Sequence, residues 1–217
     1  GVVWKETIGD LLLHLFQHQI HHRGQVHDML SATARKYLRG PRGMGFLYMR
    51  QSVLENLHPP MIDLKAARWT GPDSYELQPD ALRFENWETN YAAKLGMGAA
   101  IDYALELGLD NINRRVVHLA AGFRQKLSGL DRVTVQDIGR EKCGIVTFSV
   151  NGMPAETVCD RLRAQGINSS FSTPTSTLMD ARRRNLPDVV RASVHYFNDE
   201  DELDRTVATL EGILRDD

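Results

Sequence analysis

The 217-residue sequence lacks the features that mark secreted, disulfide-linked or membrane-spanning proteins. Only two cysteines are present, Cys143 and Cys159, and neither belongs to a C-x-x-C motif. They are too few for a disulfide framework, which favours a reducing compartment. No apolar run approaches the ~18 residues of a spanning helix, and no basic segment followed by an apolar one indicates a signal peptide. We therefore predict a cytoplasmic protein that does not span a membrane.

An excess of charge of one sign is also lacking. The chain has 26 Lys and Arg residues against 28 Asp and Glu residues, for a formal net charge of −2. This balance predicts no general affinity for nucleic acid or for an anionic membrane. We interpret the basic run at 182–184 as a solvated face. Because the chain starts at Gly1 rather than at methionine, we expect a fragment or a processed product.

The N-terminal part of the sequence predicts one helix followed by less regular structure. Apolar residues recur at every fourth position and predict a helix over 7–30. Residues 31–43 are small, basic and rich in glycine, which predicts a loop. A short strand is predicted at 45–50. The prolines and glycines within 58–80 predict a mostly irregular connection.

The rest of the sequence alternates between helical and strand patterns. One helix is predicted from residue 88 to a C-cap at Gly108, a second helix ends at Gly129, and Asn198 caps the last helix. The predicted order over 110–217 is α-β-β-α-β-β-α, a small sheet covered by helices on one face. The apolar stripe of the first helix comprises Tyr91, Leu95, Ala99, Tyr103 and Leu107, and that of the second comprises Ile112, Val116, Leu119, Phe123 and Leu127.

Five histidines lie between residues 14 and 27, and two of them can share one cation. His18 and His22 are four residues apart, so both imidazoles project from one face of a helix. The string H-Q-I-H-H-R-G-Q that begins at His18 resembles the last metal-binding helix of the DinB/YfiT-like four-helix-bundle family. The resemblance implies that His18 and His22 bind zinc or nickel. The alternative is that the histidines form a solvated or partly packed helix face.

Lys36 has the sequence surroundings of a reactive amine. Arg35, Arg39 and Arg42 are close to it, and nearby cations lower the pKa of an ammonium group and attract phosphate. A partly deprotonated lysine can form a Schiff base with an aldehyde cofactor. The composition alone equally fits a basic surface loop.

A longer string around Lys36 is more specific. Residues 31–50, S-A-T-A-R-K-Y-L-R-G-P-R-G-M-G-F-L-Y-M-R, resemble the cofactor-lysine segment of class V, cysteine-desulfurase-like enzymes that use pyridoxal 5'-phosphate (PLP). The similarity continues to the end of the chain, through the strings that begin at Arg83 and Arg191. It implies PLP fold type I, with Lys36 as the Schiff-base lysine and Arg35 beside the cofactor. Arg191 falls on the arginine that binds the substrate α-carboxylate, and a planar guanidinium suits that role.

Departures from the family pattern narrow the predicted activity. Trp87 and Glu88 stand where many members carry glycine and a threonine that contacts the cofactor phosphate. Residues 168–176 occupy the region where desulfurases carry a nucleophilic cysteine, and they contain none. We interpret Cys143 and Cys159 as core residues. A persulfide-forming desulfurase is therefore disfavoured, and an aminotransferase, a racemase or epimerase, and a C–S lyase stay open.

Other groups that this family uses precede its lysine. They bind the PLP phosphate, stack on the ring and pair with the ring nitrogen, and the last of these makes the cofactor an electron sink. Here the histidine-rich segment occupies that stretch. The resemblance therefore implies a site that is incomplete in a single chain.

Together these patterns predict an α/β protein in three parts. They are a DinB-like histidine helix at 1–30, a partial PLP large-domain segment at 31–85, and an α+β small domain of PLP fold type I at 86–217. The predicted function is PLP-dependent aminotransferase or lyase chemistry on a small-molecule amino-acid substrate, with a homo-oligomer or a partner chain completing the site. The alternatives are a non-catalytic binding or oligomerisation module and a DinB-like divalent-metal-binding protein.

Overall fold

The computed structural model describes residues 29–216. Contacts divide the chain into two compact units, Gly1–Leu109 and Asp110–Asp217. The division falls inside the segment 86–217 that the sequence predicts as one small domain, and the three-part organisation stays a prediction. Within the described residues, no helix is both long enough and apolar enough to cross a bilayer.

The first unit begins with an antiparallel hairpin. Strand β1 (Met29–Thr33) pairs with β2 (Gly45–Met49), which confirms the strand predicted at 45–50. The loop predicted over 31–43 is wrong for its first three residues, because they belong to β1. Local composition did not reveal this strand because its partner lies beyond the loop, and strand formation depends on such non-local pairing.

A second hairpin shows that the prediction of irregular structure over 58–80 is wrong in part. Strand β3 (Ala67–Gly71) pairs antiparallel with β4 (Ser74–Leu77), and Pro72 and Asp73 make the turn between them. The turn-forming residues therefore separate two short strands instead of marking a long coil. Trp69 and Tyr75 lie opposite each other on one face of this hairpin, and both are exposed.

A buried arginine joins the short elements around these hairpins. Helix α1 (Gln51–Leu54) follows β2, and a 3₁₀ turn (Ala81–Phe84) follows β4. The guanidinium of Arg83 donates to the carbonyl oxygens of Leu54 and Gln78, both at 2.8 Å. These bonds satisfy a charged group that would otherwise be costly to bury.

Helix α2 (Tyr91–Leu107) confirms the helix predicted after residue 88 and its C-cap. Asn90 accepts a backbone N–H bond at the N-terminus at 2.9 Å, and Gly108 ends the helix with a φ of 82°. The residues that α2 buries, Ile101 and Ala104, do not belong to its apolar stripe. Every member of that stripe is exposed: Tyr91, Leu95, Ala99, Tyr103 and Leu107.

The second unit is built on a four-stranded antiparallel sheet. The elements are α3 (Leu109–Ser128), β5 (Val133–Val135), β6 (Ile145–Val150), α4 (Ala155–Ala164), β7 (Ser170–Ser172), a 3₁₀ turn (Pro174–Thr177), α5 (Leu178–Arg184), β8 (Val189–Ser193) and α6 (Glu200–Arg215). The strand order is β5-β6-β8-β7, so β6 pairs with β8. The predicted order α-β-β-α-β-β-α is confirmed, with one additional short helix, α5.

Alternation along β6 separates the two faces of this sheet. Val146, Phe148 and Val150 are buried, whereas the residues between them are half-buried on the opposite face. On α3, all five positions of the predicted apolar stripe are buried. Side chains of α3, α4 and α6 pack with the buried face of the sheet into one hydrophobic core.

The last helix begins one residue later than predicted, because Asp199 and not Asn198 is its N-cap. The carboxylate of Asp199 accepts the N–H of Glu202 at 2.8 Å, and Glu202 accepts the N–H of Asp199 at 3.3 Å. This reciprocal capping box requires a spacing of three residues, which Asp199 provides. Asn198 instead accepts the N–H of His195 at 2.8 Å.

The basic run at 182–184 is only partly the solvated face that we predicted. Arg184 donates to the carboxylate of Asp180 at 2.9 Å and to the carbonyl oxygen of Gln136 at 2.5 Å. It therefore ties α5 to the residue that follows β5.

Candidate active-site elements

Lys36 lies in the lysine loop, residues 34–44, which connects β1 to β2. The N–H of Ala34 donates to the last carbonyl oxygen of the loop at 2.9 Å, and the N–H of Gly40 donates to Ala34 at 2.8 Å. The N–H of Arg39 donates to the carbonyl oxygen of Lys36 at 2.9 Å, which makes a tight turn directly after the lysine. Three backbone bonds thus fix the loop around Lys36.

Helix α2 supports the lysine loop through a small residue and an aromatic ring. A Cβ atom at Gly96 would lie only 3.0 Å from Cγ of Pro41, so a glycine allows the loop to approach the helix closely. The guanidinium of Arg39 lies over the ring of Tyr103, 5.5 Å from its centroid. Sequence reasoning missed this packing, although the run of small residues that begins at Gly96 was a signal for it.

The lysine loop is anchored by apolar residues and presents basic ones. Ala34 and Leu38 are buried. A primary amine among guanidinium groups can bond to an aldehyde carbon while the cations balance a phosphate. The exposed basic side chains of the loop are Arg35, Lys36, Arg39 and Arg42.

Arg191 lies on β8, on the sheet face opposite the helices. It is half-buried and pairs in register with Thr147 of β6 and Ser170 of β7. Both hydroxyl-bearing side chains share its face, and the Thr147 hydroxyl already donates to Asp137 at 2.5 Å. Among residues 29–216, no hydrogen bond or ion pair engages the Arg191 guanidinium. Lys36 belongs to the first unit and Arg191 to the second.

The residues that depart from the family pattern are exposed. Trp87 is 55% exposed and Glu88 is also exposed. The N–H of Trp87 donates to the carboxylate of Asp63 at 2.5 Å. This bond, with smaller contributions from neighbouring N–H groups, holds the pKa of Asp63 below its usual value. The backbone at Trp87 is therefore fixed by Asp63.

Neither cysteine lies in the segment 168–176. Cys159 is 1% exposed within α4, and burial raises the pKa of its thiol. It belongs to the hydrophobic core, as predicted. Cys143 precedes β6 and is half-buried, and its carbonyl oxygen accepts from Arg124 at 2.7 Å. The core prediction is therefore wrong for the Cys143 side chain, because the residue lies where the chain enters the sheet.

The predicted metal ligands His18 and His22 lie outside the residues that the structure describes, so the zinc or nickel site stays a prediction. In the described range, no group of three or more His, Cys, Asp or Glu side chains could hold a metal ion.

The lysine loop, its supporting helix and the small sheet together define the class of protein. The chain belongs to the aminotransferase class-V family, whose pattern matches residues 14–206. The match includes the lysine loop, α2 and all four strands of the second unit. It starts inside the segment 1–30 that the sequence predicts as a DinB-like helix.

Several proteins similar to this chain are described as cysteine desulfurases. A probable cysteine desulfurase of Methanothermobacter thermautotrophicus is 26% identical over 189 residues, which are 86% of this chain and 47% of that protein. The cysteine desulfurase of Serratia proteamaculans is 32% identical over 184 residues, 82% of this chain and 44% of that protein. The apo structure of cysteine desulfurase from Thermococcus onnurineus NA1 has a TM-score of 0.79 at 26% identity, and the match covers 87% of this chain and 47% of that one. The chain therefore spans less than half the length of these relatives.

Proposed function

We propose that this chain supplies the cofactor lysine and the substrate-carboxylate arginine of a PLP-dependent lyase or transferase that acts on an amino acid. The observation that carries the proposal is the lysine loop, which fixes Lys36 by backbone bonds and carries three exposed arginines, Arg35, Arg39 and Arg42. The relatives named above support the same reaction class.

The residues present fit part of a PLP site. Lys36 provides an exposed amine, and Arg35 provides a cation beside it for the phosphate. When bound, PLP supplies an electron sink for charge that develops on the substrate. Many family members contact the cofactor phosphate through a threonine. This chain has Trp87 and Glu88, both exposed, in that region, so the threonine contact has no counterpart there.

Within this proposal Lys36 of the first unit and Arg191 of the second unit have separate roles. Lys36 binds the cofactor through Nζ and then accepts or donates a proton at the same atom. Arg191 holds the substrate carboxylate in the plane of its guanidinium, which orients the amino acid. The groups that pair with the cofactor ring come from elsewhere than the lysine loop and β8, either from another part of the polypeptide or from a second chain.

The test is a visible spectrum of the purified chain with added PLP, followed by borohydride reduction and peptide mapping. We expect an absorption band that borohydride abolishes, and a reduced cofactor fixed on Lys36. The proposal would be contradicted if no absorption band appeared and the reduced cofactor were spread over several surface lysines.

We infer further that the sulfur of a cysteine substrate is not transferred to this protein. Burial keeps the Cys159 thiol protonated, and only the thiolate is a nucleophile. The segment 168–176 presents no thiol, and Cys143 is separated from it in sequence. These observations favour a C–S lyase, transaminase or epimerase over a persulfide-forming desulfurase.

Thiol labelling tests this inference. A chromogenic disulfide reagent at pH 8 should label Cys143 in the native protein and Cys159 only in urea, because burial both shields the latter and raises its pKa. The variants Cys143→Ser and Cys159→Ala show which cysteine is labelled in the native protein and which is labelled only in urea. After incubation with PLP and cysteine, we expect no persulfide on either residue, and a persulfide that survives in Cys159→Ala and disappears in Cys143→Ser would contradict the inference.

A second candidate function, an assembly module, is favoured by the exposed stripe of α2. Leu95 is 77% exposed and Tyr91 is 65% exposed on one face of a helix that also supports the lysine loop. Exposed apolar faces of this kind mark protein–protein contacts. We propose that the stripe binds the polypeptide that completes the PLP site.

Light scattering coupled to size-exclusion chromatography measures the consequence. We expect the wild-type chain to form a concentration-dependent dimer and Leu95→Glu to lower its association constant at least about tenfold, since a buried charge is costly. Met179→Glu, at a residue that is 79% exposed in the second unit, is the matched control and should leave association unchanged. Equal effects of both variants would contradict a role for the stripe.

We propose the metal-binding role of His18 and His22 on their spacing and on the resemblance of their sequence string to a metal-binding helix. Two imidazoles give only part of the three or four ligands that zinc sites use.

A further inference from the structure

A cavity of about 260 Å³ opens within the second unit, between the sheet and its last helix. The accessible apolar part of its wall comprises Ile167, Ala192 and Leu203, which pack against the hydrophobic core, whereas the core residues Phe123, Phe148 and Val190 that also line it are only 0–1% exposed. Protein interiors contain few voids larger than a water molecule. A space of this size that reaches the core is therefore a candidate binding site, and it is somewhat smaller than the pockets that take drug-sized ligands.

The mouth of the cavity carries two opposite charges on one helix. Glu202 and Arg205 both line it and lie three residues apart on α6, so they are neighbours on one helix face. Glu202 accepts bonds from Asn198 at 2.9 Å and from the capping N–H of Asp199 at 3.3 Å. A carboxylate has about four acceptor sites, so Glu202 keeps capacity for another donor.

Arg205 has similar spare capacity. One of its terminal nitrogens donates to the carbonyl oxygen of Gln165 at 2.7 Å, which orients the side chain. A guanidinium has five N–H donors, so the others can bond to an anion. The rim therefore presents one site for a cation and one for a carboxylate, above a lining that combines apolar side chains with polar ones such as Asn168, Ser193 and Thr206.

We propose that this cavity binds a free α-amino acid with an apolar side chain, at a site separate from Lys36 and Arg191. The ammonium group binds Glu202, the carboxylate binds Arg205, and the side chain contacts the apolar part of the wall, Ile167, Ala192 and Leu203. An aliphatic side chain suits this part of the wall because it has no polar atom that would need a partner there.

The cavity and the proposed substrate-carboxylate arginine share strand β8. Val190 and Ala192 line the cavity, and Arg191 between them projects from the opposite sheet face. An amino acid in the cavity would therefore contact β8 on the sheet face opposite to the one that carries the Arg191 side chain. Under the proposed function, a ligand here adjoins the strand that holds Arg191, which is paired with β6 and β7 on its two edges, but the binding itself does not depend on that function.

Equilibrium dialysis of the full chain with radiolabelled L-leucine, in the absence of PLP, tests the site. We expect saturable binding of one leucine per chain. Binding of 4-methylpentanoate, which lacks the ammonium group, and of 3-methylbutylamine, which lacks the carboxylate, should each be weaker by about tenfold or more.

Three variants locate the bound leucine. Arg205→Gln removes an exposed charge, and Ala192→Ile fills part of the cavity; both should lower affinity about tenfold or more while the urea midpoint does not fall. Arg191→Gln should leave leucine binding unchanged. No saturable binding to the wild-type chain would overturn the proposal. Loss of binding in Arg191→Gln, with retention in Arg205→Gln, would also overturn it and would instead support Arg191 as the substrate-carboxylate site.

Discussion

Replacing Lys36 with alanine is expected to abolish the PLP absorption band and all borohydride-stable cofactor in the peptide that contains the lysine loop. The loss should be complete, because only an amine can bond covalently to the cofactor aldehyde. Because Lys36 is exposed, its truncation should leave the fold intact. The measurement is the visible spectrum together with mass spectrometry of the reduced protein.

Other lysines of the same unit provide the matched control. Lys65 and Lys94 each lie near the Glu85 carboxylate, at 3.7 and 3.5 Å, and neither belongs to the lysine loop. Lys65→Ala and Lys94→Ala should retain the band. A Lys36→Arg variant keeps the positive charge and should still lose the band, which separates covalent attachment from attraction of the phosphate. A band that persists in Lys36→Ala would exclude Lys36 as the cofactor lysine.

Arg124→Leu should destabilise the second unit by about 3–5 kcal/mol, because removal of one partner leaves a buried charge uncompensated. Arg124 donates to Asp137 at 2.6 Å and to the carbonyl oxygens of Cys143 and Ile145, both at 2.7 Å. The two side chains of the ion pair are only 10% and 11% exposed. Urea unfolding monitored by circular dichroism at pH 7 measures the change.

Arg115 is the matched control on the same helix. It forms an ion pair with Glu200 at 2.6 Å, but the two side chains are 37% and 52% exposed, and exposed pairs contribute little to stability. Arg115 holds the pKa of Glu200 below its ordinary value. The ion pair therefore contributes to stability when the pH is above the ordinary pKa of a glutamate. This contribution is lost as the pH falls through the lowered pKa of Glu200. Arg115→Leu should shift the urea midpoint much less than Arg124→Leu at pH 7, and equal shifts would contradict the role of burial.

Local pattern predicted α3 well because its apolar stripe and its buried face coincide. The five stripe positions, from Ile112 to Leu127, are all buried, and three of them, Leu119, Phe123 and Leu127, belong to the hydrophobic core that includes the sheet. On α2 the same periodicity predicted the helix correctly but said nothing about what lies against it. Periodicity reports that a helix has an apolar face, whereas burial depends on whether the structure provides a surface for that face.

The hairpins show a second limit of local pattern. Strands β3 and β4 are short, and Gly71 and Pro72 lie where one ends and the other begins. These two residues favour the prediction of an irregular connection over 58–80. Strand stability depends on the partner strand more than on intrinsic preference. The same reason explains why residues 31–33 were predicted as loop.

For the candidate site, sequence resemblance predicted the roles of Lys36 and Arg191, and the structure describes the residues and hydrogen bonds around them. Backbone bonds fix the loop of Lys36, and hydroxyl-bearing residues flank Arg191 on its sheet face. The cavity beside α6 was not predictable, because its wall combines residues from three helices and two strands that are distant in sequence. A void is a property of packing and has no local sequence signal.

The position of β6 beside β8 has a consequence for folding. Phe148 pairs with Val190, and the chain between them contains α4, β7 and α5. Closing such a loop costs conformational entropy before the central pair can form, so this pairing is slow compared with the β5–β6 hairpin. During synthesis the hydrophobic face of β6 therefore stays without its central partner until β8 has been made, and this interval is when the unit is most exposed to aggregation.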